Sequence, residues 1–299
     1  MTVQDPAGLH VPVLLNEVLE HLRPAPGARF LDLTLGMGGH SAAFLAAGAH
    51  VTGVDRDPAA RALAATRLAA YADRVSIISG TFADAAEEFV RTGTRFDGVL
   101  ADIGVSSLQL DDEARGFAWR ADVPADMRMG DGCPETALDL IDRLDADELA
   151  DILYHYGEER LSRRVARFIK QSRAEGRCTT NAELAETVRR AVPGHHQRHP
   201  ALRTFQALRI AVNDELGQLD RLLAALPRLC APGGRAVVIS FHSLEDRRVK
   251  ESFRDGRKSG LWDDSARHVI IATEEEQAAN PRSTPAKLRW ALAPASTPT

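Results

Sequence analysis

The sequence has no uninterrupted apolar run near the ~18 residues that a membrane-spanning helix needs. Residues 1–10 are polar and carry no signal-peptide core, so the chain reads as cytoplasmic, with no membrane partner. Cysteine is scarce. Cys133, Cys178 and Cys230 are odd in number and far apart, so neither a disulfide framework nor a zinc knuckle follows, and no metal site is read. No internal repeat is visible. A net charge of −5 excludes a protein coated in basic surface. What remains is an ordinary globular composition, 44% hydrophobic and 26% charged, over 299 residues, enough for one large domain or two smaller ones.

The G-x-G-x-x-G turn of hydride-transfer enzymes is also missing. In its place Phe30-Leu31-Asp32-Leu33-Thr34-Leu35-Gly36-Met37-Gly38-Gly39-His40 runs from an apolar strand through an acid into a glycine-rich turn, and a helix is expected over 41–47. Such a turn brings the backbone close to a ligand and presents free amides at the helix start. Val51-Thr52-Gly53-Val54-Asp55 reads as a second strand whose terminal acid is placed to accept hydrogen bonds from ribose hydroxyls. Without the third glycine a pyrophosphate is poorly served. S-adenosylmethionine (SAM), a nucleoside cofactor without phosphate, suits the turn better. A tight strand-to-helix turn with no ligand is the alternative.

The alternation continues with a helix over 58–71, a strand over 75–78, a helix over 84–90 and a strand over 96–102. Short apolar runs of this kind suit parallel strands covered on both faces. It then stops. From about 111 to 212 no strand is expected. Helices are read over 136–141, 145–154, 158–172, 181–192 and 201–216, with Thr180 and Glu183 forming a capping box. In the 158–172 helix Leu161, Val165, Phe168 and Ile169 form an apolar face, with Arg163, Arg164, Arg167 and Lys170 mostly off it. Strands return over 235–240, 268–272 and 287–292, and 254–264 reads as a loop. The fold class expected is α/β, a Rossmann-like sheet interrupted by an all-helical insertion. The divisions are 1–110, 111–212 and 213–299.

Charge is uneven. From Gly157 to Ile210 twelve Lys and Arg stand against five Asp and Glu, a local +7 that leaves −12 for the rest. That points to a polyanionic partner, or to a solvated basic helix face. Strand four leads into Asp102-Ile103-Gly104-Val105-Ser106-Ser107-Leu108-Gln109, at the sheet edge where ligands meet. The Asp/Asn/Ser-Pro-Pro-aromatic motif common in amino-directed nucleic-acid methyltransferases is absent, so amine chemistry would need other groups. Arg115, with Phe117, Trp119 and Arg128, mixes cations with aromatics. In the last insertion helix Phe205, Leu208, Val212 and Leu216 read as core, and Gln206, Arg209 and Asn213 as a polar stripe beside Arg203. After strand five, Ser243 reads as an N-cap, with Asp246 three residues on. His242 then stands at the strand end as a candidate base.

Together these segments resemble the bacterial 16S ribosomal RNA cytosine-N4 methyltransferase family, the MraW type. The blocks run from His10-Val11-Pro12 to Lys287-Leu288-Arg289. They include the Thr34 to His40 turn, Asp55-Arg56-Asp57, Asp102 to Asp112, Arg115-Gly116-Phe117, Asp126 to Met129, Tyr156 to Arg160, Arg203 to Asn213 and Ser240 to Lys250. The chain departs from the family pattern at Met37, Leu108, Ala118 and Thr284-Pro285. The resemblance implies a class I SAM-dependent methyltransferase acting on the exocyclic N4 amine of a cytidine in 16S rRNA of the small ribosomal subunit. It implies SAM contacts at Gly38, Gly39, His40, Asp55, Phe82, Asp102 and Gln109. Asp102 and then His242 are the catalytic candidates. Arg115, Arg163, Arg164, Arg167, Arg203 and Arg209 are the candidate RNA contacts. The oligomeric state stays open, with a homodimer the candidate. Two rivals stand beside this reading: a SAM methyltransferase of protein or small molecules, and a non-enzymatic ribosome-assembly factor.

Overall fold

The computed structural model describes residues 12–130, 132–194 and 199–296. The polar N-terminal segment and the His10-Val11 start of the family resemblance lie outside them. The described residues divide into two compact units, one made of those up to Gly104 and from Leu216 on, the other of those between Val105 and Glu215.

The first unit is built on a seven-stranded sheet: β1 (Arg29–Asp32), β2 (His50–Asp55), β3 (Val75–Ser79), β4 (Phe96–Asp102), β5 (Cys230–Ser240), β6 (Asp264–Ser265) and β7 (Lys287–Leu292). Their order is β3-β2-β1-β4-β5-β7-β6. The first five are parallel, and β7 runs antiparallel to both neighbours. The central strands β1, β4 and β5 carry apolar runs because both of their faces are covered. Leu31, Val99, Ala101, Ala236 and Val238 belong to one core cluster, whereas Phe30, Leu100, Val237 and Ile239 belong to another. This is the period-two alternation of a strand buried on both sides. Helices α1 (Leu15–Leu22), α2 (Gly39–Ala46) and α3 (Pro58–Arg67) supply side chains to the second cluster or cap it. Helix α4 (Phe82–Arg91), a long helix over Glu215–Leu229 and another over Ser243–Lys258 supply the first. The Rossmann-like α/β sheet expected from the sequence is present. The chain winds from β1 toward β2 and β3, then returns to place β4 on the other side of β1. Such a reversal, here at the carboxyl ends of β1 and β4, is where sheets of this kind form their ligand crevice.

The second unit is helical: α5 (Ser107–Asp111), α6 (Ala137–Arg143), α7 (Ala146–Gly157), α8 (Ser162–Ala174), α9 (Asn181–Ala191) and α10 (Ala201–Asn213). Among its described residues the only β pairing is an isolated bridge, Pro124 with Thr180. Its core joins Leu140, Leu153, Val165, Ile169, Leu184, Val188, Phe205 and Leu208. Capping boxes with an acid three residues on sit at Thr136, Asp145 and Thr180. The two remaining long helices are α11 (Glu215–Leu229) and α12 (Ser243–Lys258), and α13 covers Glu274–Ala279.

Several boundaries differ from the sequence reading, each for a local reason. The helix expected over 201–216 breaks at Asp214, whose φ of 48° ends α10 before α11 begins. Leu161 does not join an apolar helix face. It stays 40% exposed ahead of α8, where its amide donates to Glu159 Oε1 at 2.8 Å. Residues 254–258 are helix rather than loop. Gly256 lies inside α12 because Trp262 packs on it, and a Cβ there would stand 2.5 Å from Trp262 Cδ1. Instead of a strand over 268–272 there is one bridge, Ile270 with Leu288. The helix expected over 58–71 ends at Arg67 and gives way to a 3-10 turn over Ala69–Tyr71.

Candidate active site

Three acids end three strands, and each is tied down differently. Asp32 closes β1. Its Oδ2 accepts from Ser41 Oγ at 2.7 Å and its Oδ1 from the Thr34 amide at 3.3 Å, which joins the strand end to the first turn of α2. Burial pushes its pKa up to about 6 against the lowering effect of those bonds. Asp55 closes β2. Its two carboxylate oxygens accept the Gly36 and Asp57 amides, both at 2.8 Å. Burial again raises the pKa, and the two amides oppose it. One amide per oxygen leaves each free to accept another donor.

The turn between them is shaped by glycine. Gly36 and Gly38 have φ of 51° and 78°, a region that side-chain-bearing residues rarely enter. Gly38 is the N-cap of α2 and no side chain caps that helix start. Gly39 meets another constraint: a Cβ there would lie 2.4 Å from Pro12 Cγ. His40 is buried, and its Nε2 donates to the Val13 carbonyl at 3.0 Å, so the ring fastens the N-terminal segment. Phe82 opens α4 half-buried, just after its N-cap Thr81.

Asp102 closes β4. Its amide donates to Thr34 Oγ1 at 2.6 Å, yet the carboxylate Oδ1 is buried with no hydrogen-bond partner. Burial is the main reason its pKa is pushed up to about 8, and the charges of Asp32 and Glu245 add to it. A buried polar atom without a partner is uncommon and marks a place where a ligand belongs. Next along, Gly104 has φ 122°, and a Cβ would stand 3.1 Å from the Phe241 ring. At the end of β5 the buried Glu245 carboxylate accepts the Phe241 amide at 2.9 Å and the His242 amide at 3.3 Å. The His242 ring is almost fully buried, with Nε2 3.2 Å from Glu245 Oε1. Neither ring nitrogen has a hydrogen bond of acceptable geometry.

The sequence does not single out Glu245. It points to Ser243 as the cap of α12, with Asp246 as its partner. In the structure His242 occupies the N-cap position and Glu245 is the third helical residue, one register earlier. Asp246 turns instead to β7, bound by Arg289 at 2.7 Å with Lys287 at 3.8 Å. A capping-box search that admits any residue at N-cap would find Glu245.

The remaining candidates lie in the helical unit. Gln109 is buried in a capping box with Ser106, and its Nε2 donates to the Met129 carbonyl at 2.9 Å. Arg115 reaches the same carbonyl at 3.0 Å. Asn213 joins this network from α10: its Oδ1 accepts the Met129 amide at 2.8 Å and its Nδ2 donates to the Met127 carbonyl at 2.7 Å. The loop so held includes Met127, buried at φ 63°. The stripe of Gln206, Arg209 and Asn213 therefore points into its own unit. Gln206 donates to the Tyr156 carbonyl, and Arg209 makes a two-pronged pair with Glu215 at 2.8 and 2.9 Å. Lys170 likewise caps α6 through the carbonyls of Ile141 and Leu144. Arg163, Arg164, Arg167 and Arg203 are exposed. Arg163 has Asp147 at 3.8 Å, and Arg164 lies over the Phe168 ring.

Replacing Asn213 with Ala strips partners from two buried backbone groups of a strained loop. A loss of about 2–4 kcal/mol in urea unfolding is expected. A loss under ~0.5 kcal/mol would mean that Gln109 and Arg115 hold the loop alone.

A profile of the MraW methylase family matches residues 7–293. Ribosomal RNA small subunit methyltransferase H of Sorangium cellulosum is 51% identical over 286 residues, covering 94% of this chain and 90% of that protein. The protein of the same name from Deinococcus radiodurans is 50% identical, covering 95% and 89%. That of Synechococcus sp. is 52% identical over 294 residues, covering 94% and 96%.

Proposed function

The chain belongs to the MraW methylase family, and on that premise we propose that it is a SAM-dependent methyltransferase acting on the exocyclic N4 amine of a cytidine in 16S rRNA of the small subunit. The observation that carries the reading is the orphaned, buried Asp102 Oδ1 at the crevice where the strand order reverses. Family membership supplies the cofactor, and the relatives' name supplies the small-subunit RNA. Among the described residues no helix is long and apolar enough to cross a membrane.

The residues present suit SAM. Asp55 can accept ribose hydroxyls on both oxygens. Gly36 and Gly38 put bare backbone at the turn, and no side chain caps the start of α2, whose amides point that way. Gly39 and Phe82 would complete the contact. His40 would take part through its backbone, since its ring is engaged with Val13. Gln109 is retained as a contact on the resemblance, although its amide group is engaged within the helical unit.

Bound SAM supplies a methyl group activated by a sulfonium charge. Cytosine N4 is a weak nucleophile because its lone pair is delocalised into the ring. The protein must therefore align the amine and take up a proton as the bond forms. Asp102 has an unused acceptor atom for this and is the first candidate; His242, with two unbonded ring nitrogens, is the second. The target base must leave its stack to reach them. The assay is transfer from labelled SAM to purified small subunits, followed by nucleoside analysis. N4-methylcytidine is expected. Label found only in protein or in small molecules would overturn the substrate, and no transfer with SAM bound would favour an assembly factor.

Arg163, Arg164 and Arg167 form the exposed basic face of α8 and are the proposed RNA contacts, with Arg203 beside them in this role. Arg209 and Arg115 would contribute by holding their own unit in shape. The triple Ala variant should bind small subunits more weakly, with the slope of log K against log salt shallower by about one for each phosphate no longer neutralised. SAM affinity should not change. An unaltered salt slope would make the face merely solvated.

A further inference from the structure

Asp102 stands in a field of one sign. The carboxylates that face it are Asp32 from β1 and Glu245 from α12. Asp32 accepts from Ser41 and Thr34, and Glu245 from two backbone amides. From the turn after β1, the Thr34 hydroxyl accepts the Asp102 amide and leaves its carboxylate untouched. From β5, His242 has its Nε2 toward Glu245. The cations of β7, Arg289 and Lys287, lie on Asp246. An ionised Asp102 in the cofactor-free protein would thus hold a buried oxygen, Oδ1, with no donor, under the charge of two other carboxylates. A proton resolves this, and burial with those two charges does push the Asp102 pKa up to about 8.

A fixed positive charge in the crevice would reverse the balance. We propose that Asp102 is protonated in the cofactor-free protein, gives its proton to solvent when the sulfonium-bearing cofactor binds, and recovers one from the substrate amine during methyl transfer. This rests on the SAM reading above. Every charge is accounted for. On binding, a neutral carboxylic acid becomes a carboxylate beside a cation, and one proton leaves. In the transfer step the amine lone pair forms the new C–N bond and the S–C bonding pair returns to sulfur. The amine proton passes to the Asp102 carboxylate. The crevice then holds a neutral thioether and a neutral acid, so its net charge is the same before and after. Asp102 therefore becomes a proton acceptor only when the methyl donor is in place. The demethylated product, S-adenosylhomocysteine, lacks the charge and leaves the acid protonated.

The test is calorimetric. SAM and S-adenosylhomocysteine are titrated into the full chain at pH 7 in phosphate and in Tris, buffers of very different ionisation heat. About one proton should be released per SAM bound and almost none per product bound, because a group of pKa about 8 is mostly protonated there. Asp102→Asn should release none with either ligand. A second measurement needs no variant. Between about pH 6 and 7 the SAM dissociation constant should fall about tenfold per unit of rising pH, while that of the product stays flat. Equal proton counts for the two ligands, or equal pH slopes, would overturn the inference and leave the methyltransferase reading standing. No SAM binding at all would overturn both.

Discussion

Asp102→Asn should slow methyl transfer by at least ~10²-fold in single turnovers on small subunits with SAM saturating. Asn preserves the side chain's outline and an acceptor oxygen. It cannot take up the amine proton. The β4 end is otherwise undisturbed, since the Asp102 amide, not its carboxylate, bonds Thr34. Folding should therefore survive, and relief of a buried acid crowded by Asp32 and Glu245 favours it. SAM affinity should fall less than turnover, because an amide can still bond to a ligand. A variant that turns over normally once saturated would reduce Asp102 to a cofactor contact and make His242 the leading candidate.

Asp55→Ala should weaken SAM binding roughly ten- to a hundredfold, from the ~1.5–3 kcal/mol of a hydrogen bond to a charged group. The structure adds a second contribution. Asp55 also anchors the Gly36 amide, so its loss frees the turn that would meet the cofactor. Asp55→Asn separates the two, because one amide oxygen can still accept from Gly36 while the charge is gone. Binding by calorimetry on folded variants decides the matter. Unchanged affinity in Asp55→Ala would remove this residue from the cofactor site.

The strand-end acids are readable because each ends an apolar run, and a doubly wound sheet places such ends along one edge. Asp32, Asp55 and Asp102 follow from local pattern alone. What cannot be read depends on partners distant in sequence or on a single residue of register. His40 looks like a pocket residue until Val13 is found under its ring. Arg209 looks like a contact for an anion until the break at Asp214 turns Glu215 back onto it. Lys170 counts toward a basic patch, yet its ammonium lies on the last carbonyls of α6. Glu245 escapes notice because Ser243 is the more usual cap, and the helix starts one residue earlier. Gly256 signals a loop, whereas it makes room for an indole.

The helical unit also interrupts the chain between two strands that lie side by side. Helices α5 to α10 are encoded after β4, and β4's parallel partner β5 comes only after them. On the ribosome, β4 must therefore wait for roughly 130 residues to be made, about 6–25 s at ordinary elongation rates. Through that interval the sheet holds β3, β2, β1 and β4, and one side of β4 is an open row of backbone donors and acceptors beside Val99, Leu100 and Ala101. Such an edge invites pairing with other chains. The nascent protein is thus most exposed to aggregation while its second half is still being synthesised, and slow codons within the insertion would lengthen that window.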